Sequence, residues 1–186
     1  MVFVEFFMIL IQALWFALPA YTANAAPIIA KKFLSNSLST PIDFNKKFHG
    51  KPIFGSHKTF RGVISAVIFA IITTYIQKYL LYSNLYISSI LIINYQQPLL
   101  IGFLFGFGTA IGDLTKSFVK RRLGIKPGAK WFPWDNMDYI LGALLFISFI
   151  YTPPASIIVI LLITSPIITI IANKIAFRIG WKEKEW

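Results

Sequence analysis

The sequence predicts an all-α, polytopic membrane protein with five transmembrane helices, its N-terminus outside and its C-terminus cytoplasmic. Three observations carry that expectation. Of the 186 residues, 56% are hydrophobic and 17% aromatic, and the mean hydropathy is +0.68, more apolar surface than a soluble core of this size can bury. The apolar residues fall in long continuous runs, and blocks of Lys and Arg separate those runs in a regular order. In hydrocarbon every peptide group must be paired within the chain, so only helices or a closed barrel can span; continuous rather than alternating runs select helices. No polar segment approaches domain size, so residues 1–186 read as a single membrane domain. With no cysteine, disulfides and thiolate metal sites are excluded.

The first run covers residues 1–19, broken only by Glu5 and Gln12. The Ala-Asn-Ala that follows at 23–25 resembles a signal-peptidase site. A secretory signal wants a positive leader, however, and the first residues carry Glu5 and no Lys or Arg, so a retained helix is expected. The other runs are 63–82, 99–119, 137–151 and 156–172, each near the roughly 20 residues that a bilayer requires. Residues 84–97 mix apolar residues with Ser, Asn and Gln and read as an outside loop with an interfacial stretch.

Orientation follows from charge. Residues 30–62 hold seven Lys and Arg, 116–130 hold six, and the tail after Ala172 holds four, whereas 84–97 and 151–155 hold none. Basic loops stay on the cytoplasmic side, which requires five crossings and opposite sides for the two termini. Much of this charge needs no further role: Lys31, Lys32, Lys174, Arg178, Lys182 and Lys184 are accounted for by topology and by contact with anionic headgroups.

The acids are a different matter. The chain has seven, and three of them, Asp113, Asp135 and Asp138, lie in the stretch GDLTKSFVKRRLGIKPGAKWFPWDNMD at 112–138, among six Lys and Arg. Carboxylates at a hydrocarbon boundary are expensive and tend to be paired or functional. Asp113, Lys116, Ser117 and Lys120 recur at helical spacing and share one face. Asp135 and Asp138 open the fourth helix, behind Pro133. Taken singly, Asp135 is explained as a helix cap and Asp113 as a neutralising partner; three together suggest a metal–phosphate site. Mg²⁺ takes oxygen ligands, one or two carboxylates plus substrate phosphates, while lysines and arginines absorb the remaining phosphate charge. His49 and His57, both in one loop and without cysteine, do not suit zinc. A second anion wall is expected from GSHKTFRG at 55–62, where Gly55 opens a turn into the second helix and Lys58, Thr59 and Arg61 add donors to the free amides of a helix N-terminus. The spacing is not that of a phosphate-binding GxxxxGK[ST] loop.

YTANAAP at 21–27, GSHKTFRG at 55–62 and GDLTKSFVKRRLGIKPGAKWFPWDNMDYILGAL at 112–144 together resemble the three blocks of the archaeal CDP-archaeol synthases, small relatives of the CDP-diacylglycerol synthases. The blocks fall in family order across essentially the whole chain. WFPWDNMD stands where the larger enzymes carry a His-Gly-Gly element, which favours the small archaeal group. The resemblance implies cytidylyl transfer from CTP to an isoprenoid glycerol-ether phosphate lipid, with Mg²⁺, at the cytoplasmic face of the cell membrane and with no nucleic-acid partner. It implies Asp113, Asp135 and Asp138 as metal ligands, and Lys120 and Arg121 as catalytic cations. Asn24, Gly55, Lys58, Thr59, Arg61, Lys116, Ser117 and Arg122 would bind substrate. Gly102, Gly106, Gly108 and Gly112 would let the third helix approach its neighbours.

The alternative from another class is an anion or lipid-phosphate transporter with a cytoplasmic basic site, but the outside loops offer only Lys78 as a matching charge. A lipid phosphatase usually needs a nucleophilic His, and the long Asp motif of CDP-alcohol phosphotransferases is absent. The topology has a direct test. Cysteines placed at Ser83 and Ser156 should react with an impermeant thiol reagent outside intact cells and one at Ser37 should not; outside labelling at Ser37 would overturn the five-crossing arrangement.

Overall fold

The computed structural model of the chain describes residues 2–34, 37–83 and 92–184. Of the expected outside loop, residues 84–91 lie outside the described residues, as does Glu185. Helix α1, Val2–Phe33, is followed by a hairpin of two short strands, β1 Lys47–Phe48 and β2 Lys51–Pro52. Helices α2, Phe60–Ser83, and α3, Pro98–Arg122, come next; a 3-10 turn at Trp134–Asn136 leads into α4, Asp138–Ile147, and α5 is Ala155–Arg178.

Helix α1 continues well past the end of its apolar run, so YTANAAP is helical and not a loop. The reason is a stripe of small residues: Ala13, Ala17, Ala20, Ala23 and Ala30, spaced by about one helical turn or two, are all buried with Phe16 between them. Pro19 lies inside the helix and has no N–H, so the Trp15 carbonyl four residues earlier has no helical donor. Gln77 of α2, fully buried, supplies one: its Nε2 donates to that carbonyl at 2.6 Å. A sequence defect in one helix is thereby met by a side chain of the next.

Helix α3 is the centre of the bundle and packs against α1, α2 and α4. Its glycines work on two sides. A Cβ added at Gly102 or Gly106 would meet the α2 backbone, 2.5 Å from Ile71 Cα and 2.6 Å from Val67 Cα. Gly108 and Gly112 face Gly142 of α4, and a Cβ at Gly112 would collide with the Asp138 carbonyl. These contacts bring the α3 and α4 backbones close enough for Lys116 to meet Asp138 across the gap.

Among the described residues four helices, α1, α2, α3 and α5, are long and apolar enough to cross a membrane. Helix α4 is not: its ten residues rise about 15 Å, half the hydrocarbon thickness. The 3-10 turn uses up the expected entrance, and Pro153 and Pro154 exclude helix before α5. The chain beyond α4 continues in turns, and Tyr151 reaches a pocket lined by Ile93 and Gln97, just ahead of the first residue of α3. Helices α2 and α5 turn Ile64, Ile68 and Ile72, and Ile163, Ile167 and Ile171, away from the core. These are apolar stripes at helical spacing, as a lipid-facing surface requires.

Replacing Gly112 with Ala should separate α3 from α4, because the obstacle is backbone and not a movable side chain. The expected cost is about 1–3 kcal/mol, read as a lower melting temperature in detergent. Turnover should fall further than in an Ala substitution at Gly50, where nothing lies within 4 Å and only the left-handed backbone, at φ +74°, is strained.

Candidate active site

The ends of α1, α3 and α5 and the beginnings of α2 and α4 meet at one end of the bundle, joined by Lys31–Glu183, Lys58–Asp113 and Lys116–Asp138 ion pairs. At its heart is Lys116. Its Nζ lies 2.8 Å from Asp138 Oδ2, 3.1 Å from Asp113 Oδ1 and 3.4 Å from Asp135 Oδ1. Lys58 Nζ donates to both oxygens of Asp113, at 2.7 and 2.5 Å. Lys120 Nζ donates to both oxygens of Asp135, at 2.8 and 2.9 Å, and to the Ala129 carbonyl at 2.6 Å. The sequence spacing thus placed Asp113, Lys116 and Lys120 correctly on one face of α3. Asp135 also accepts from the Trp131 amide, which ties the 123–133 loop to the network. Burial alone would raise the Asp135 carboxyl above its ordinary range; Lys120, Lys116 and the Trp131 amide outweigh it and hold the group lower.

The three carboxylates are balanced by the ammonium groups of Lys58, Lys116 and Lys120, and two buried arginines stand beside them. Arg121 is 6% exposed and its buried Nε has no hydrogen-bond partner. Its Nη1 would stand 3.7 Å from a Cβ at Gly55. A buried guanidinium gains from a nearby anion. Arg61 is buried at the start of α2. The acids converge on an ammonium and not on one another, and among the described residues no three form a ready metal cage. Their chemistry fits Mg²⁺ all the same: hard oxygen donors around one point of positive charge, of which the ion needs one or two, with phosphates and water completing the shell.

The loop wall is built differently from the expectation. The first amides of α2 are occupied: Phe60 N–H donates to Thr40 O, Arg61 N–H to Leu38 O and Gly62 N–H to Thr59 Oγ1. No free cradle of backbone amides faces the site there, and Thr59 serves as a helix cap. What the loop contributes is side chains, aimed by Asp43. This acid, 5% exposed, accepts the amides of Asn45, Phe54 and Gly55. Gly55, at φ +101°, makes the left-handed turn that a side chain would strain. Lys58 then arrives at Asp113.

Other expected residues fall into place around this centre or away from it. Ser117 is buried on α3, and Asn24 is half-buried on α1 one turn before Pro27, which packs on Gly62. Arg122 is turned elsewhere: its guanidinium donates to the carbonyls of Phe48, Lys51 and Pro52 and lies over the rings of Phe48 and Phe118. It latches the hairpin to α3. Sequence reasoning missed Asp43, which only its three amide partners reveal; Lys182, assigned to topology, has its Nζ donating to Asn173 at 2.9 Å.

Beside the cluster, a groove of about 300 Å³ runs between α3 and α4. Lys116 and Asp138 give it charged lining, Val119, Leu141, Leu145 and Phe146 apolar lining, and Trp131 and Trp134 also border it. Val119, Leu141 and Leu145 are exposed on the flank of the bundle.

A helical bundle with membrane-length spans, a buried acid–base network at one end and an apolar furrow leading into it defines an intramembrane enzyme acting where lipid meets a charged reactant. The particular family is shown by comparison: the chain belongs to the CDP-archaeol synthases, the CarS-like family, whose pattern matches residues 6–186. It is 35% identical over 181 residues to the CDP-archaeol synthase of Pyrococcus horikoshii, covering 95% of this chain and 97% of that one. It is 39% identical over 181 residues to that of Methanococcus vannielii, covering 96% and 97%. The fold is similar, with a TM-score of 0.69 and 26% identity over 87% of this chain and 92% of the other, to a solved intramembrane enzyme for archaeal membrane lipids biosynthesis.

Asp43 yields a test of the loop. Burial acts to raise its carboxyl, but the amides of Gly55, Phe54 and Asn45 prevail and hold it below its ordinary value near 3.8. A depressed folded-state value means stabilisation fully present above the unfolded value and lost as pH falls through the folded one. Asp43→Asn should therefore lower the melting temperature by a constant amount between about pH 8 and about pH 5, and the gap to the native protein should close below about pH 4.

Proposed function

We propose that the Lys116-centred cluster is the seat of the reaction and that CTP and an isoprenoid glycerol-ether phosphate meet there. The activity is that of the family, membrane cytidylyl transfer in archaeal lipid synthesis. One observation carries the assignment of the site: Lys116 and Asp138 belong both to the charged network and to the lining of the apolar groove. A lipid lying in the groove with its phosphate at Lys116 would bring that phosphate against whatever the network holds.

The chemistry asks little of an acid or base. A lipid phosphate oxygen, already an anion, attacks the α-phosphorus of CTP; the bond to the β-phosphate oxygen breaks and pyrophosphate leaves with the charge. The task of the protein is to bring two polyanions together and hold them in line. Arg121, Arg61, Lys58 and Lys120 take the triphosphate and the charge that builds on the leaving group. Lys116 holds the lipid phosphate. Asp113, Asp135 and Asp138 would hold Mg²⁺, which when bound neutralises phosphate oxygens. The same acids hold the three lysines in place by ion pairs. The finer topology proposed with this reading is five crossings with the site on the cytoplasmic side, where CTP is found; the basic ends of α1, α3 and α5 support it.

The test is reconstitution. Purified protein with labelled CTP, Mg²⁺ and the isoprenoid ether phosphate should give a lipid-soluble cytidylated product, and chelation of the divalent ion should abolish it. Arg121→Ala should weaken CTP binding by about 1.5–3 kcal/mol, and Asp138→Asn should remove most turnover with the fold intact. Undiminished turnover in Asp138→Asn would remove that acid from the chemistry.

A further inference from the structure

The last described residues do more than end the chain. Gly180, at φ +72°, closes α5: the Gly180 amide donates to Phe177 O at 3.0 Å and the Trp181 amide to Ala176 O at 2.8 Å, the paired bonds of a Schellman turn. This turn sends residues 181–184 sideways instead of onward. Trp181 then packs edge-on to Phe33, centroids 6.5 Å apart, under the Lys32 ammonium at 5.2 Å, and Glu183 pairs with Lys31 at 3.2 Å. Residues 181 and 183 therefore both grip the end of α1. Residues 182 and 184 reach other elements: Lys182 Nζ is hydrogen-bonded to Asn173, and Lys184 Nζ would lie 3.4 Å from a Cβ at Gly128, in the loop after α3. The tail is a strap tied to α1 on one side, to α5 and the Gly128 loop on the other.

We propose that Lys182, held on this strap, is a further phosphate-binding residue of the active site. The inference rests on the reading of the site given above and adds a cation from an element that none of the sequence blocks includes. Its surroundings support it. Lys182 is half-buried, and burial together with the fields of Lys116 and Lys58, opposed by Asp135, keeps its ammonium below the usual lysine range. Packing places it at the same end of the bundle: α5 lies against the Trp134–Asn136 turn that carries Asp135, and Lys184 stands beside Gly128, in the loop that the Trp131 amide ties to Asp135. A charge serving only topology would extend into water and would need neither Asn173 nor the anchored neighbours on either side.

The ligand chemistry, a phosphate group, has two possible sources, and the experiment separates them. With the full chain in detergent, CTP affinity is measured by calorimetry without lipid, and KM for CTP and for the lipid phosphate is measured in turnover. Lys182→Gln should weaken one of these constants roughly tenfold, as for loss of a charge-assisted hydrogen bond, with melting temperature unchanged. A change in CTP affinity assigns the triphosphate, and a change confined to lipid KM assigns the lipid phosphate. Lys182→Arg should restore most of the loss. Trp181→Ala, which keeps the lysine and removes its anchor, should weaken the same constant. Unchanged affinity and KM in Lys182→Gln, or a drop in melting temperature alone, overturns the proposal and leaves the strap structural. Because calorimetry needs no turnover, absence of transfer by the unmodified chain would count against the site reading and not against Lys182.

Discussion

Three carboxylates share the Lys116 ammonium within 3.4 Å, close to the apolar flank of a membrane bundle, and the rest of the architecture is arranged so that this can exist. Removing charge from water costs several kcal/mol per ion and is offset only by close pairing and complete hydrogen bonding. Close pairing needs α3 and α4 almost in contact, hence Gly108, Gly112 and Gly142. Complete bonding needs the loops, hence the Trp131 amide and Ala129 carbonyl that finish Asp135 and Lys120. Lys116 keeps two carboxylates when one is removed, whereas the glycine contacts that bring α3 and α4 together have no such reserve.

The loop between α1 and α2 solves a related problem. It must bring Lys58 to Asp113 from a segment with little apolar core of its own. Asp43 organises the segment by gathering backbone amides, and Arg122 fastens the hairpin by gathering carbonyls. One acid and one base, neither touching the central network, give an irregular loop the rigidity that a helix would otherwise provide.

The spans of α2, α3 and α5 were legible because hydropathy and helix length measure the same thing, and the convergence of Asp113, Lys116, Asp135 and Asp138 was legible because helical spacing and a short connection restrict where side chains can go. Other features were hidden for identifiable reasons. The length of α1 depends on an alanine stripe whose purpose appears only when a partner helix is present. Helix α4 is short because its neighbours, the 3-10 turn and the Pro153-Pro154 pair, take residues that hydropathy cannot distinguish from helix. Arg122 reads like Arg121 next to it; a turn of about 100° in the helix sends one to the hairpin carbonyls and leaves the other buried beside Gly55. Lys182 has no local signature at all, since its position is set by a glycine turn and by contacts made on residues 181 and 183.

The groove between α3 and α4 has a wall on two sides and none on the third, where Val119, Leu141 and Leu145 are open to the flank. A closed tunnel gauges what it contains; a furrow without a lid or an end stop does not. Hydrocarbon tails lying in it would run on into the bilayer, so chain length would go unmeasured and selection would fall on the headgroup. The two products would also part company by different doors, the water-soluble one through the polar mouth and the lipid sideways into the membrane it is made for.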